Sequence, residues 1–218
     1  MKVVVSLGGS ILPRDPEGLA RMARVLEGLA RRHSVRVVVG GGSPAREAIQ
    51  SAREHGASDR FCDLLGIGTT RLNAHLLLSV LRGARPGVPE TVREAARLRG
   101  PLAVMGGTAP GHTTDGVAAM LAAATRADLL VNATSVDGVY SEDPKANPRA
   151  RRFRRMTHRQ LAAVAGSARH RPGMSAVMDP LAVRILARRR IPAAVVDGRD
   201  PRNIARAVAG EPVGTRIG

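Results

Sequence analysis

Three apolar runs of this chain each end in consecutive glycines, and that repeated junction limits the folds open to it more than any other feature. Val3-Val-Val5 leads through Leu7 into Gly8-Gly9-Ser10, Val35 to Val39 leads into Gly40-Gly41-Gly42-Ser43, and Leu102 to Met105 leads into Gly106-Gly107. Short Val-rich runs bounded by glycine read as buried strands. Helical patterns follow them. Asp15-Pro16 reads as the cap and first residue of an amphipathic helix reaching about Arg32, and Pro44 opens another helix. The third junction, Val104-Met-Gly-Gly-Thr-Ala-Pro-Gly-His-Thr-Thr-Asp115, passes from strand through a turn at Pro110-Gly111 to the start of an alanine-rich helix. Strand, glycine turn and helix in repetition make β-α-β units with parallel strands.

The first turn of a helix presents unpaired N–H groups at the positive end of its peptide dipoles, so junctions of this kind suit anions. Taken alone, Thr113-Thr114-Asp115 is equally an ordinary helix cap. Three glycine turns and the Thr134 loop leaving strands at one carboxyl edge, however, point to a single nucleotide-sized site.

The rest of the chain continues the alternation. A helical pattern from about Ser58 to Arg82 carries Asp63-Leu-Leu-Gly66 and Thr70-Arg-Leu-Asn73, whose Asp63 and Asn73 in isolation read as surface or capping residues. Pro86-Gly87 breaks it, and a short helix runs from about Pro89 to Leu98. Beyond the third junction, Leu129 to Val131 reads as a strand, Asp137-Gly138 as a tight hairpin turn and Asp143-Pro144 as a further reversal. A helix begins near Thr157, Gly173 interrupts, and Met174 to Arg190 is again helical despite Pro180. Ala193 to Val196 is a strand, Pro201 to Val208 a helix, and Val213 to Ile217 a final edge strand. With no linker or repeat, the expected fold is α/β: a three-layer α/β/α sandwich around a mainly parallel sheet, forming one domain over residues 1–218.

Composition narrows the function. The chain carries 34 basic against 18 acidic residues, a net charge of +16, and Lys occurs only at Lys2 and Lys145, so the excess is arginine, the bidentate phosphate binder. Aromatic residues are confined to Phe61, Tyr140 and Phe153, too few for a base-stacking surface, which argues against nucleic acid as a partner. Most arginines fall at helical spacing, as at Arg21, Arg24, Arg31 and Arg32, and read as a solvated face. The cluster from Arg149 to Arg155 is open to RNA, an acidic partner or water. Cys62 is the single cysteine, and its neighbours Phe61 and Leu64 assign it to packing; no disulfide can form within the chain. No apolar stretch has membrane-spanning length and no cleavable leader is seen at the first residues, so a soluble cytoplasmic protein is expected.

Neither a Walker loop nor a dinucleotide fingerprint is present, and Gly66-Ile-Gly68 is only a partial match to the latter. The assembled pieces resemble the amino acid kinase superfamily, and within it the archaeal-type uridylate kinases. They are Leu7-Gly-Gly-Ser10, Val38-Val-Gly-Gly-Gly-Ser43, Gly66-Ile-Gly-Thr-Thr-Arg-Leu-Asn-Ala74, the Val104 to Asp115 junction, Val136-Asp-Gly-Val-Tyr-Ser-Glu-Asp-Pro-Lys145 and Gly214-Thr215. They occur in family order over essentially the whole chain.

The resemblance implies an amino acid kinase-like fold and phosphoryl transfer from ATP, with Mg2+ bound to it, to UMP in a homohexamer, a step of pyrimidine nucleotide biosynthesis. It assigns Gly9 and Ser10 to the phosphates near the transfer point, Gly41 to UMP, and Gly42 and Arg46 to ATP. Asp63 would hold the UMP ribose hydroxyls, and Ala109, Pro110, Gly111, His112, Thr113, Thr114 and Asp115 would enclose the UMP nucleoside and phosphate. Thr134, Tyr140 and Asp143 would hold the ATP nucleoside, and no side chain is assigned to metal. Within these sets His112 either touches substrate or shapes its loop, and Tyr140 by itself reads equally as a core residue.

The chemistry agrees, because glycines let backbone N–H groups approach phosphate oxygens and phosphoryl transfer needs positioning and charge neutralisation more than a nucleophile. Two positions depart from the superfamily pattern. Ser6 stands where many members carry Lys, and Ser135 where relatives often carry Lys, Asn or Asp. Arg46 is then the expected catalytic cation, with Lys145 next. The alternatives are a kinase of acetylglutamate, aspartate, carbamate or isopentenyl phosphate on the same fold, and a non-catalytic nucleotide-sensing or nucleic-acid-binding protein.

Overall fold

The computed structural model describes residues 1–142, 147–168 and 178–218; the reversal expected at Asp143-Pro144 and the interruption at Gly173 lie outside them. The chain begins with β1 (Lys2–Leu7), α1 (Pro16–Ala30), β2 (Ser34–Val39), α2 (Gly42–Glu54), α3 (Asp59–Leu78), α4 (Val92–Arg97) and β3 (Leu102–Met105). It continues with α5 (Thr114–Thr125), β4 (Leu129–Thr134), β5 (Arg155–Met156), α6 (His158–Ala168), α7 (Pro180–Arg189), β6 (Ala193–Asp197), α8 (Arg202–Val208) and β7 (Thr215–Ile217).

The seven strands form one sheet in the order β3-β2-β1-β4-β6-β7-β5. From β3 through β6 all neighbours are parallel; β7 runs antiparallel to β6 and pairs in parallel with β5. Parallel strands need both faces covered, which is why β1, β2 and β4 are apolar on consecutive residues and not on alternate ones. Val3, Val5, Leu7, Val37 and Val131 pack against Met22 and Leu26 of α1, Leu77 of α3 and Ile204 of α8. Val4, Val38, Met105, Leu130 and Val195 pack on the other face against Val117 and Leu121 of α5, Leu161 of α6 and Leu186 of α7. The expected α/β/α layering is therefore present. Leu26, Leu77 and Leu186 are fully buried, and truncating any of them to Ala would cost about 2–5 kcal/mol.

Local signals set most helix starts. Asp15 accepts from the Gly18 N–H ahead of Pro16, Ser58 from Phe61 and Thr113 from Gly116. Asp179 and Pro180 repeat the arrangement of Asp15 and Pro16: the Asp179 carboxylate accepts from the N–H groups of Leu181 and Ala182, and Pro180 is the first helical residue. Pro180 thus starts α7 where the sequence had placed it inside a helix from Met174; Met178 and Asp179 precede the helix, and residues 174–177 lie outside the described ones. Likewise α2 begins at Gly42, with Pro44 third in it and not first.

Two further expectations are corrected. Asp137-Gly138 is a bend and no hairpin turn, because β4 pairs in parallel with β1 and β6, and among the described residues the chain just beyond it makes an isolated bridge from Tyr140 to Arg152. The edge strand is β5, inside the arginine cluster, and β7 lies between β5 and β6. A strand of two residues, Arg155 and Met156, is too short to show periodicity, whereas its backbone pairing with Arg216 and Ile217 fixes it in space.

The strand order places the site. From β1 the chain winds outward through β2 to β3 and then returns to the other side of β1 as β4. Ligands of such sheets bind where the winding reverses, beyond the carboxyl ends of the two strands concerned.

Candidate active site

At the carboxyl ends of β1, β2 and β4 the glycine turns interlock through their backbones. Gly8 donates its N–H to Ala133 O at 2.9 Å, Gly40 donates to Leu7 O at 2.8 Å, and Ile11 donates to Gly8 O at 3.0 Å. Gly9 has no room for a side chain: a Cβ there would stand 2.3 Å from Gly40 O and Gly42 N. Gly42 adopts φ +69°, a left-handed conformation, with its backbone against Gly9. The two turns form a glycine cradle that any side chain would fill.

Helix α2 leaves this cradle from Gly41 with no side-chain cap, whereas Thr113 caps α5. The unpaired N–H groups at the start of α2 therefore remain for an anion. Thr114 joins from above, its Oγ1 lying 3.4 Å from where a Cβ on Gly40 would be. Gly9, Ser10, Gly41, Gly42 and Thr114 are thus brought to one edge, as the sequence required.

A second group assembles beside it on α3. Asp63 Oδ2 accepts the Gly111 N–H at 2.7 Å, joining residues 48 apart in the chain. His112 N donates to Ala109 O at 3.2 Å, closing the exposed turn that carries Pro110 and Gly111. Thr70 Oγ1 accepts the Gly107 N–H at 2.6 Å and donates to Ile67 O at 2.6 Å, which fixes the start of that loop to the same helix. Arg71 braces it further, its Nε donating to Gly107 O at 3.4 Å while Nη1 pairs with Glu90 at 3.1 Å. Asp63 and the 109–113 loop are consequently one unit.

Asp115 lies below them, half-buried, and Ser6 Oγ donates to its Oδ1 at 2.8 Å. Burial pushes the Asp115 carboxyl up from the ordinary carboxylate range, with the neighbouring Asp179 adding to the rise, while hydrogen bonds from Ser6 and the Asp179 backbone oppose it. Ser6 itself is only 1% exposed, so the position where many superfamily members carry Lys serves here as a buried hydroxyl donor and supplies no charge.

The opposite side of the cleft is built differently. Thr134 ends β4 and its carbonyl accepts from Gly198 N at 2.8 Å. Tyr140 is half-buried, and its hydroxyl donates to Asp137 Oδ1 at 2.9 Å, while Arg152 Nη1 donates to Asp137 Oδ2 at 2.6 Å. The hydrogen bond to Asp137 raises the Tyr140 pKa, with burial a further cause. Asp143 and Lys145 lie outside the described residues, and Ser135 is exposed.

Arg46 stands exposed on the second turn of α2, one turn beyond Gly42, where it borders a surface groove with Ile49, Gln50, Arg53 and Glu54. The residues that sequence reasoning left without a role are Arg14 and Asn73. Asn73 is fully buried and hydrogen-bonds the glycine turn as well as Arg14. A polar residue on the inward side of an amphipathic helix is a readable signal for Asn73; Arg14, in a loop, offers none.

A separate hollow of about 400 Å³, bordered by Lys2, Ser34, Arg36 and Arg126, lies at the amino ends of β1 and β2. Helix carboxyl ends converge there: Arg36 donates to Leu98 O at 2.6 Å and Lys2 to Thr125 O at 3.1 Å. Those cations are engaged with carbonyl groups, so the anion chemistry belongs to the other edge.

Comparison with known proteins agrees with this placement. The model of the amino acid kinase family matches residues 1–197. A uridylate kinase of Archaeoglobus fulgidus is 48% identical over the full length of both chains, and one of Methanothrix thermoacetophila is 48% identical over 100% of this chain and 99% of its own. The crystal structure of the Archaeoglobus fulgidus uridylate kinase superposes with a TM-score of 0.93 over 100% of both chains. That of a UMP kinase from Bacillus anthracis gives 0.83 at 25% identity, over 99% of this chain and 95% of its own. With the glycine cradle, the uncapped α2 and full-length relatives in agreement, the chain belongs to the amino acid kinase family.

Proposed function

We propose that this chain is a uridylate kinase that transfers the γ-phosphoryl group of ATP to UMP, giving UDP and ADP. The observation that carries the reading is the hydrogen bond from Gly111 to Asp63. It uses Oδ2 alone and joins α3 to the 109–113 loop, leaving Oδ1 without a partner among the described residues and open to the vicinal hydroxyls of a ribose. A carboxylate presented beside a phosphate cradle suits a nucleoside monophosphate better than a small carboxylate or carbamate, which has no ribose to receive. The full-length relatives named uridylate kinase support the same choice.

The roles of single residues are those the family resemblance assigns. Gly9 and Ser10 meet the phosphates at the point of transfer, Gly41 meets UMP, and Gly42 meets ATP through backbone N–H groups. Ala109 to Thr113 enclose the UMP nucleoside, and Thr114 and Asp115 lie at its phosphate. Thr134 and Tyr140 hold the ATP nucleoside. The cradle that a Cβ would fill gives backbone N–H groups close approach to a phosphate chain, and Mg2+ carried on ATP would neutralise charge on those phosphates, no cluster of ligating side chains being present among the described residues.

The protein works as one domain, in the cytoplasm, and as a homohexamer. Assembly is supported by α3, where Phe61, Leu64 and Leu72 form a stripe 52%, 50% and 65% exposed, more than an isolated helix face would leave to water. The deciding experiment is ADP production with Mg-ATP against UMP, CMP, AMP, acetylglutamate, aspartate, carbamate and isopentenyl phosphate. Turnover with UMP above all others is expected; turnover with another acceptor alone would overturn the reading.

A further inference from the structure

The second glycine turn needs something outside itself to aim it. Glycines in succession rotate their peptide planes at little steric cost, so Gly40, Gly41 and Gly42 do not by themselves decide which way their N–H groups face. The Gly40 N–H donates to Leu7 O, and those of Gly41 and Gly42 are left for a ligand at the uncapped start of α2.

Asn73 of α3 supplies the aim. Its side chain is fully buried and all of its polar atoms are placed. Nδ2 donates to Gly40 O at 2.7 Å and to Gly41 O at 3.0 Å, while Oδ1 accepts from Arg14 Nη2 at 2.8 Å. A guanidinium only donates and a carbonyl only accepts, so these bonds admit one orientation of the amide. In a planar trans peptide the C=O of one residue and the N–H of the next point in opposite directions. The carbonyls of Gly40 and Gly41 are held against α3, and the N–H groups of Gly41 and Gly42 therefore face away from it. Arg14 sits on the carbonyl side of the turn, where it fixes the amide.

We propose that Asn73 is a positioning residue of phosphoryl transfer, which holds the Gly40 and Gly41 carbonyls and so turns the Gly41 and Gly42 N–H groups onto the phosphates of both substrates. Gly41 serves the acceptor and Gly42 the donor nucleotide, so one side chain that touches neither substrate sets a donor for each. The inference rests on the kinase reading for what occupies the turn, and on no particular acceptor.

The test compares the full-length wild type with Asn73→Asp, Asn73→Leu and Asn73→Ala. Asp has the size of Asn and still accepts from Arg14, but its carboxylate offers the two carbonyls nothing and accepts N–H groups in their place, which turns the peptides the wrong way. Leu keeps the bulk and has no donor. Ala opens a space lined by two carbonyls and a guanidinium, polar enough to admit a water that donates as the amide did. ADP production is followed with Mg-ATP and UMP varied in turn, and thermal midpoints show that each variant is folded.

The expected result for Asn73→Asp is a fall of about thirtyfold or more in kcat, with KM for each substrate within about fivefold, and a smaller loss of kcat in Asn73→Ala than in Asp or Leu. A side chain needed only for packing gives the reverse order, with the two variants of native bulk above Ala. That order would overturn the proposal, as would a kcat for Asn73→Asp within about threefold of wild type or a loss confined to KM for one substrate. If Asn73→Asp does not fold, the order of Leu and Ala decides. If the wild type turns over another acceptor in place of UMP, the uridylate reading fails by itself, and the same order is read with that acceptor.

Discussion

The two sides of the cleft are held by different forces. On the glycine side the walls are backbone against backbone: Gly9 against Gly40 and Gly42, Gly8 on Ala133, Gly40 on Leu7. On the side of Tyr140 the walls are side chains, with Asp137 receiving both the Tyr140 hydroxyl and an Arg152 whose side chain is 37% exposed. Backbone contacts at van der Waals distance leave no slack and are indifferent to salt. Exposed ion pairs are worth about 0–1 kcal/mol, weaken with ionic strength and tolerate replacement. A phosphoryl-transfer site needs the first kind where atoms react and permits the second where a nucleoside is merely held.

The contrast is greatest at Gly9. A Gly9→Ala Cβ meets backbone atoms that cannot rotate away, so kcat/KM should fall by about a hundredfold or more, measured as ADP production, while circular dichroism shows a folded chain. Activity near that of the wild type would mean that the cradle yields and that the two sides do not differ in rigidity.

Asp63→Asn ranks next. The new amide oxygen can still accept from Gly111, so the loop stays in place while the charge offered to the ribose is lost. A loss of about ten- to hundredfold in kcat/KM for UMP, with KM for ATP little changed, is expected. Equal losses toward both substrates would place Asp63 in the framework and not at the acceptor.

Asp115 tests the buried polar contact beneath the glycine side. Its folded pKa is raised, chiefly by burial, so the ionised form is penalised only in the native state. That penalty is complete above the raised pKa and disappears as pH falls toward the ordinary carboxylate value. Acidification from neutral pH should therefore add stability through this residue, with a slope of at most about 1.4 kcal/mol per pH unit. Denaturant titrations across that range should show the component in the wild type and not in Asp115→Asn; identical pH dependence would show that Asp115 is not buried as charge.

The smallest effect belongs to the Tyr140 side. Asp137→Asn removes the charge beside the only tyrosine of a chain without tryptophan, so ultraviolet titration reads that one hydroxyl. The tyrosine should titrate above the ordinary phenol value in the wild type and return toward it in the variant, with a stability change of no more than about 1 kcal/mol. An unmoved titration would put the Asp137 contact in doubt.

Much of the glycine side was legible because its signals are local. Runs of Val ending in Gly-Gly, Asp-Pro before α1 and Thr113 before α5 act within a few residues, and each lies where the pattern placed it. The misplaced elements had weak or conflicting local signals. Asp137-Gly138 has the composition of a hairpin turn, but the strand before it is claimed on both sides by parallel partners. Pro180 reads as an interruption until Asp179 is seen to cap the helix it starts. Arg14 carries no pattern at all, since one arginine in a loop resembles the other exposed arginines of a chain with a net charge of +16.

The sequence by itself determined the alternation of strand and helix, the parallel sheet and the glycine turns at its carboxyl edge, because these follow from side-chain periodicity and backbone freedom over a few residues. Only the tertiary structure decided which polar groups meet. Ser6 reaches Asp115 across 109 residues, Arg14 reaches Asn73 across 59, and Asp63 reaches Gly111 across 48. Such pairs leave no periodic trace in the chain. Burial leaves Ser6 and Asn73 no water to turn to, while Asp63 and Gly111 meet at the surface; in each case the partners stand together only once the sheet and its helices have closed.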